Sequence, residues 1–476
     1  MKGKGAAGPA PPARRADDSA SGTRRAAYEV LRRVFEQDSW ADRAFPAAAE
    51  RHALRGRERA QAQRLAYGAV QRRATADHLV ELLARRPVTR LDPPVLAALR
   101  LGLFELLHSR RTPAHAAVGE AVTLAKAAVA REQPGGENRA DAAAGFVNAV
   151  LRRAQLEGAT LLAGVDESTP EGAAVLHSYP AWLARMWWGE LGPQRARTLM
   201  AAMNGPPETA LRVNTIVAEP ERVLVRLRAA GERVERPDAP PPLAPPEALV
   251  VRGPLGEATR ERMAAGELVA QARGSQAVVW LLDPRPDERV LDLCAAPGIK
   301  TTAIAARMQN RGEIVAVELD HGRAARLAEL CERLGAARVR IVEADAARAD
   351  LGDGYDRILV DPPCSDLGTL ASRPDARWRK SPQLVDRVSR IQQSILARAA
   401  GALRPGGALV YATCTISVGE NEDRVQALLS ADPRMQPDNL GATHPLLASL
   451  RDSRFLQTMP DRDRTDGFFI ARLRRR

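Results

Sequence analysis

The sequence predicts a multidomain chain: an all-helical amino-terminal domain, a small α+β segment, and an α/β core built as a doubly wound parallel sheet. Three observations carry this. From about residue 24 to 156, apolar residues recur at helical spacing with proline and glycine breakers between the runs. From residue 263 onward, short strand-like apolar runs alternate with amphipathic helical stretches. The chain has four cysteines in 476 residues and no CxxC pair, which argues against a disulfide framework or a zinc site.

Residues 1–23 are rich in Gly, Ala, Pro, Arg and Ser and lack an apolar stretch, so a disordered basic tail is expected, not a signal peptide. No run approaches the length needed to cross a membrane, and unpaired thiols belong in a reducing cytosol. The formal charge is +12, supplied almost entirely by arginine; the lysines are Lys2, Lys4, Lys126, Lys300 and Lys380. A GC-rich coding bias accounts for arginine over lysine but not for the net charge. Such a surface favours phosphate-rich partners, because guanidinium groups bind phosphate bidentately and stack on bases.

The helical domain, 24–156, is punctuated at Pro87, Pro93-Pro94, Pro113 and Pro134-Gly135-Gly136 and closes on the run 145–153. Nothing in it has catalytic spacing; His108 and His115 read as surface or capping residues. The α+β segment, 157–262, carries helical stretches at 180–191 and 193–203, strands at 210–215 and 248–252, and a proline-rich loop at 237–246. Trp187-Trp188 could stack on bases, but their spacing with Leu183 and Leu191 favours core. In the core, 263–476, strands are expected at 289–293, 313–318, 339–343, 357–360, 408–413 and 468–473. Helices are expected at 301–308, 322–334, 384–403 and 420–429.

Chemistry-bearing residues collect at strand ends, where open parallel sheets bind ligands. After the first core strand comes Cys294-Ala295-Ala296-Pro297-Gly298-Ile299-Lys300-Thr301, a small-residue loop leading into a helix start. Small residues admit a ligand close to the backbone, and the helix start offers free N–H groups. The loop is neither GxGxxG nor a P-loop, which weakens dinucleotide and ATP readings. The next strands end at Glu318, suited to ribose hydroxyls, at Asp345, suited to an adenine amino group, and at Asp361. Singly, each acid reads as a solvated loop residue; the ordered set describes a site for S-adenosylmethionine.

Two thiols join them: Cys364 in Asp361-Pro362-Pro363-Cys364-Ser365, and Cys414 in Thr413-Cys414-Thr415. Most free cysteines are small buried hydrophobes. Cys331 fits that description, on a helical stripe with Leu327, Leu330 and Leu334. A thiol pair at strand ends beside a methyl-donor pocket suits methylation at carbon 5 of a pyrimidine, where a thiolate first adds to carbon 6. By chemistry alone either thiol could be the attacker.

The cofactor loop, the Asp361-to-Ser365 run and Thr413-Cys414 together resemble the Nol–Nop–Sun family of RNA cytosine-5 methyltransferases. Leu211-Arg212-Val213-Asn214-Thr215 and Asp466-Gly467-Phe468-Phe469 extend the likeness, and Gly145-Phe146-Val147-Asn148-Ala149-Val150-Leu151-Arg152 resembles a NusB-type RNA-binding domain. The resemblance implies a Rossmann-like, S-adenosylmethionine-dependent core. Its substrate would be ribosomal RNA, 16S in particular, and the enzyme a cytoplasmic monomer needing no metal. It implies Cys414 as nucleophile, Cys364 as the group that assists release, and Asp361 as the contact to the target base. The stretch from Cys294 to Lys300, with Glu318, Arg323, Asp345 and Asp361, would line the cofactor.

The chain departs from the family pattern in three places. Ile299 stands where a second glycine is expected, Asp366 where a small residue is usual, and Ala272 follows Gln271 in place of an acid. One competing reading is an amino-group methyltransferase of adenine or protein, suggested by Asp361-Pro362-Pro363. Such enzymes place an aromatic residue where this chain has Cys364. The other is a non-catalytic RNA-binding factor, against which the intact loop and thiol motifs weigh.

Overall fold

The computed structural model describes residues 20–109, 112–132 and 136–476, in two compact units that divide after Glu167. Most of the basic tail expected over 1–23 lies outside the described residues, as do Pro134 and Gly135. Gly22 and Thr23, expected in that tail, already belong to the first helix.

The first unit is helical among its described residues: α1 (Gly22–Glu36), α2 (Ala41–Arg51), α3 (Gly56–Gln71), α4 (Arg73–Ala84), α5 (Pro93–His108), α6 (Ala114–Glu132) and α7 (Glu137–Ala163). Pro93 and Pro94 sit in the first turn of α5, where a missing N–H costs nothing. The apolar stripes meet in a core that includes Leu31, Leu65, Leu79, Leu99 and Leu151. A Cβ at Gly68 would stand 2.0 Å from the Phe104 ring, so only glycine lets α3 close on α5. Buried charges are paired: Glu105 takes the Arg24 guanidinium at 2.7 Å, and Asp77 takes Arg100 at 2.7 Å. His108 and His115 are exposed, as expected. Helix α7 runs on to Ala163, past residue 156, taking in the buried Gly158.

The second unit opens with α8 (Pro170–His177), α9 (Ala181–Leu191), α10 (Pro193–Ala202), β1 (Thr209–Val213), α11 (Pro220–Ala229), β2 (Val234–Glu235), β3 (Ala248–Val251), α12 (Glu257–Ala264) and β4 (Leu268–Ala270). The four strands form an antiparallel sheet in the order β2-β3-β1-β4. Its last strand lies beyond residue 262, so the small sheet draws a strand from what the sequence reading counted as core. Buried polar bonds join this layer to the rest of the unit. Arg212 donates to Gln271 Oε1 at 2.7 Å and to Thr302 Oγ1 at 3.1 Å. Asn214 donates to the carbonyls of Gly266 and Leu334. Trp187 is fully buried and gives its indole N–H to the Ile416 carbonyl at 3.0 Å.

The core follows: α13 (Arg273–Leu282), β5 (Arg289–Leu293), α14 (Ile299–Arg307), β6 (Glu313–Glu318), α15 (His321–Arg333), β7 (Val339–Glu343), β8 (Tyr355–Val360), α16 (Pro382–Ala402), β9 (Leu403–Thr413), α17 (Glu422–Ala431), β10 (Met435–Pro437), β11 (Leu456–Gln457) and β12 (Phe469–Arg475). The sheet order is β10-β12-β9-β8-β5-β6-β7, with β11 pairing on β12. Strands β7, β6, β5, β8 and β9 are parallel, whereas β12 runs antiparallel to β9, and β10 to β12. The sheet is therefore mixed at this edge, not wholly parallel; alternation of apolar residues marks a strand but not its direction. Chain order steps outward from β5 to β6 and β7, then returns to β8 on the other flank. That reversal opens a crevice at the carboxyl ends of β5 and β8.

Candidate active site

At the end of β5 the chain turns sharply. Cys294 has φ 62°, and Gly298, at φ 103°, packs so tightly on Leu327 that a Cβ would stand 2.7 Å from it. Ala295 N–H donates to the Val317 carbonyl at 3.0 Å, anchoring the loop to β6. Ala296 N–H donates to Glu318 Oε2 at 3.3 Å, and Arg323 returns a bond to the Ala296 carbonyl at 3.0 Å. Glu318 is nearly buried, and its other oxygen accepts the N–H groups of Leu319 and Asp320. Pro297 is exposed at the loop's rim, and Ile299, standing in for a glycine, begins α14. Asp345, after β7, is half-buried; Oδ1 accepts from Ala347 N–H. Burial, reinforced by Asp361 and Glu318, pushes the Cys294 thiol up to about 12, so it acts as a packing group.

Beneath the loop, Asp292 is fully buried. Burial raises its pKa to about 7, although the Thr301 hydroxyl donates to Oδ2 at 2.6 Å; Oδ1 has no partner. Lys300 reaches across the crevice to Asp361, with Nζ 2.6 Å from Oδ2, and lies 5.3 Å from the Phe468 ring centroid. Burial works against the Lys300 ammonium, but Asp361 outweighs it and raises its pKa.

The two thiols expected at strand ends are brought together. Cys364, after β8, and Cys414, after β9, stand with their sulfurs 3.3 Å apart. Asp366 lies against both: Oδ1 is 3.2 Å from Cys414 Sγ and 3.6 Å from Cys364 Sγ, while Oδ2 takes Lys380 Nζ at 2.9 Å. Burial would raise the Asp366 carboxyl, yet the Lys380 ammonium holds it below the usual range. The Cys414 thiol is pushed well above its usual value by its contact with Cys364, by burial and by the carboxylates of Asp366 and Asp361. That contact favours ionisation of Cys364, but burial and the carboxylates of Asp366 and Glu420 leave it raised as well. Both sulfurs rest protonated at neutral pH.

The sequence reading passed over what ties the two thiol loops. Glu420, fully buried, accepts the Ser365 N–H at 2.8 Å and Gln392 Nε2 at 3.0 Å. It also accepts the Ser365 hydroxyl, and the Thr415 hydroxyl at 3.5 Å. Asn421 accepts from Thr413 Oγ1 at 2.5 Å and donates to the Thr415 carbonyl at 3.1 Å, gripping the chain on both sides of Cys414. The available signal was the hydroxyl residue after each cysteine, Ser365 and Thr415, with an acid shortly downstream. Ala272 lines an open cleft with Glu208, Arg252, Arg464 and Asp466, away from the cofactor loop.

Comparison with known proteins agrees with this architecture. The family model described as 16S rRNA methyltransferase RsmB/F matches residues 279–474, that of the NusB family 21–156, and a ferredoxin-like domain of RsmF/B-like methyltransferases 179–254. A probable ribosomal RNA small subunit methyltransferase B of Bacillus subtilis is 32% identical, over 94% of this chain and 98% of that one. One of Synechocystis is 33% identical over 95% and 99%. The crystal structure of PH0851 aligns over 96% of this chain and 99% of that one, with TM-score 0.79 and 26% identity. With its NusB-type helices, ferredoxin-like layer and methyltransferase core, the chain belongs to the RsmB/F family of ribosomal RNA methyltransferases, S-adenosylmethionine-dependent enzymes that act on RNA.

Proposed function

We propose that this enzyme methylates carbon 5 of a cytosine in 16S ribosomal RNA through a covalent adduct to Cys414. The observation that carries the reading is the thiol pair, 3.3 Å apart at the ends of neighbouring parallel strands beside the crevice. An amino-group transfer has no use for two thiols, and Cys364 stands where such an enzyme would stack an aromatic side chain on its target.

The residues present fit the cofactor. Glu318 ends β6 and Asp345 follows β7, its neighbour, while Asp361 follows β8 on the other side of β5, and Ala295 and Ala296 leave room at the turn between β5 and α14. A carboxylate offers about four acceptor directions; Glu318 meets three backbone donors, with the Arg323 guanidinium 3.4 Å from Oε2, so a ribose hydroxyl would share or displace that ion pair. Asp345, half-buried, is open to an adenine amino group, and Arg323 borders the same pocket. The cofactor supplies an electrophilic methyl group on a sulfonium.

The chain's own residues do the rest. Cys414 gives its proton to solvent, and the thiolate sulfur bonds to carbon 6 of the base, which turns carbon 5 into an enamine-like nucleophile. The Lys300–Asp361 pair meets the base edge at ring nitrogen 3 and the amino group, where the displaced electron pair gathers. Once carbon 5 carries the methyl group, its remaining hydrogen passes as a proton to a water molecule. The carbon–carbon double bond re-forms, and the bond from carbon 6 to Cys414 breaks. Cys364, in contact with the departing sulfur, assists that release. The target base reaches this depth only if it is unstacked from its neighbours. No step needs a metal. The enzyme works as a monomer in the cytoplasm.

The test is methyl transfer from labelled cofactor to unmodified ribosomal RNA, followed by nucleoside analysis. Label in 5-methylcytidine of 16S RNA is expected. Label in methyladenine, or tight RNA binding without transfer, would overturn the proposal.

A further inference from the structure

We infer that Glu420 is the positioning residue that sets the two thiols side by side, by tying the loop after β8 to the loop after β9. The inference rests on the proposed roles of Cys364 and Cys414 and goes beyond them to the device that holds them in register.

Neither loop fixes its own cysteine. Cys364 follows two prolines, and the N–H of Ser365, next in the chain, points to no carbonyl of the sheet; it donates to Glu420 Oε2 at 2.8 Å. Thr415, next after Cys414, meets the same carboxylate at 3.5 Å through its hydroxyl, and the Ser365 and Thr415 hydroxyl oxygens lie 2.7 Å apart. Gln392, from α16, donates both to Glu420 Oε2 and to the Pro363 carbonyl, at 3.0 Å each, so the residue before Cys364 joins the network. Glu420 is itself held, for its backbone carbonyl accepts the Tyr411 hydroxyl at 2.6 Å. One buried carboxylate thus joins both cysteine loops without touching either sulfur, beside the Asn421 bonds around Cys414 and the bond from Gly368 N–H to the Cys414 carbonyl at 3.0 Å. Apart from Gln392 Oε1, which has no partner among the described residues, the buried groups of this network are hydrogen-bonded, and that stiffens it. In the proposed release Cys364 acts on the departing Cys414 sulfur that it touches, and a misplacement of about 1 Å between groups that act together can cost on the order of 100-fold in rate.

Geometry and charge can be separated by substitution. In Glu420→Gln, the side-chain oxygen can accept from Ser365 N–H and Gln392. The new amide can donate to the Ser365 or Thr415 hydroxyl, which rotates to receive it. Glu420→Ala removes the tie.

The experiment oxidises the full-length enzyme with diamide, which takes one hydrogen from each thiol as the disulfide forms, and follows Cys364–Cys414 linkage by peptide mass. The same variants are then assayed for turnover and for RNA adduct retained after denaturation. Glu420→Ala is expected to cross-link at least tenfold more slowly than wild type, and to turn over on the order of 100-fold more slowly while retaining adduct. Its affinity for the cofactor should stay within a few-fold. Glu420→Gln should restore cross-linking and turnover. Wild-type cross-linking in Glu420→Ala overturns the inference, as does a Glu420→Gln variant no better than Glu420→Ala. If Glu420→Ala does not fold, Ser365→Ala and Thr415→Val each cut one strand of the tie, and unchanged cross-linking in both overturns it equally. Cross-linking requires neither RNA nor any assigned role for the thiols. Its failure therefore counts against the tie alone, whereas reversed adduct behaviour in single-cysteine variants counts against the proposed roles.

Discussion

Oδ1 of Asp366 stands 3.2 Å from Sγ of Cys414, a carboxylate facing the thiol that must ionise to react. Its charge is one of the causes that raise the Cys414 pKa, after the Cys364 contact and burial. Removing that charge lowers the thiol pKa and increases the thiolate fraction at a given pH. In Asp366→Asn, alkylation of Cys414 by iodoacetamide at pH 8 is expected to accelerate several-fold, measured on a Cys364→Ser background. An unchanged or slower rate would show that Asp366 does not hold the proton on.

The two cysteines should fail differently. Cys414→Ala is expected to abolish methyl transfer and to form no RNA adduct. Cys364→Ala should still attack and methylate, then retain RNA as a covalent complex visible on denaturing gels. If Cys364→Ala is simply inactive and Cys414→Ala traps RNA, the roles are reversed.

Lys300 and Asp361 form a pair at 2.6 Å that would meet the target base. Lys300→Met leaves the Asp361 carboxylate unpaired in a half-buried crevice and removes the positive charge beside the base. Loss of one such preorganised electrostatic group costs on the order of 100-fold in kcat. RNA affinity should change little if, as proposed, the pair meets only the target base. Comparable losses in KM and kcat would instead assign the pair to ground-state binding.

Asp292 gives a pH signature in stability. Its carboxyl has pKa about 7 in the folded protein against 3.8 as a free side chain, so the native state holds the proton more tightly than the unfolded state. The associated stability is fully present below about pH 4 and is lost as pH rises through 7, an effect of up to about 4 kcal/mol. Asp292→Asn is isosteric, keeps an acceptor for Thr301 and does not ionise. Urea denaturation should therefore show the variant gaining on wild type between pH 5 and pH 8. A gap independent of pH would mean that Asp292 does not titrate in this range.

The helical unit and the positions of the main core strands along the chain could be read from apolar spacing alone, because a 3.6-residue stripe and a short β-branched run each require a particular backbone. The apolar runs alone put Cys294, Glu318, Asp345, Asp361, Cys364 and Cys414 at strand ends, since in an open sheet a strand's end predicts a location as well as a boundary. What could not be read depends on partners distant in the chain. The antiparallel setting of β12 is fixed by pairing from Phe469–Thr413 to Arg474–Ala408, which no local pattern encodes. Glu420 looked like the first residue of an exposed helix, and only the approach of Ser365, some fifty residues earlier, turns it inward. Asp366 was noticed as a charge beside Cys364, but its closer contact is with Cys414, brought near by pairing of β8 with β9.

The indole of Trp187 gives its hydrogen to the carbonyl of Ile416, two residues past Cys414. The loop that carries Cys414 is therefore not portable. A core cut out at residue 263 would leave that carbonyl without its donor, along with the Thr302 and Leu334 contacts made by Arg212 and Asn214. Any graft that exchanges the reacting strands between relatives must bring α9 and β1 with them, and inheritance faces the same constraint. Substitutions near Trp187 and near Ile416 are thus expected to be accepted in pairs, although 229 positions separate them along the chain.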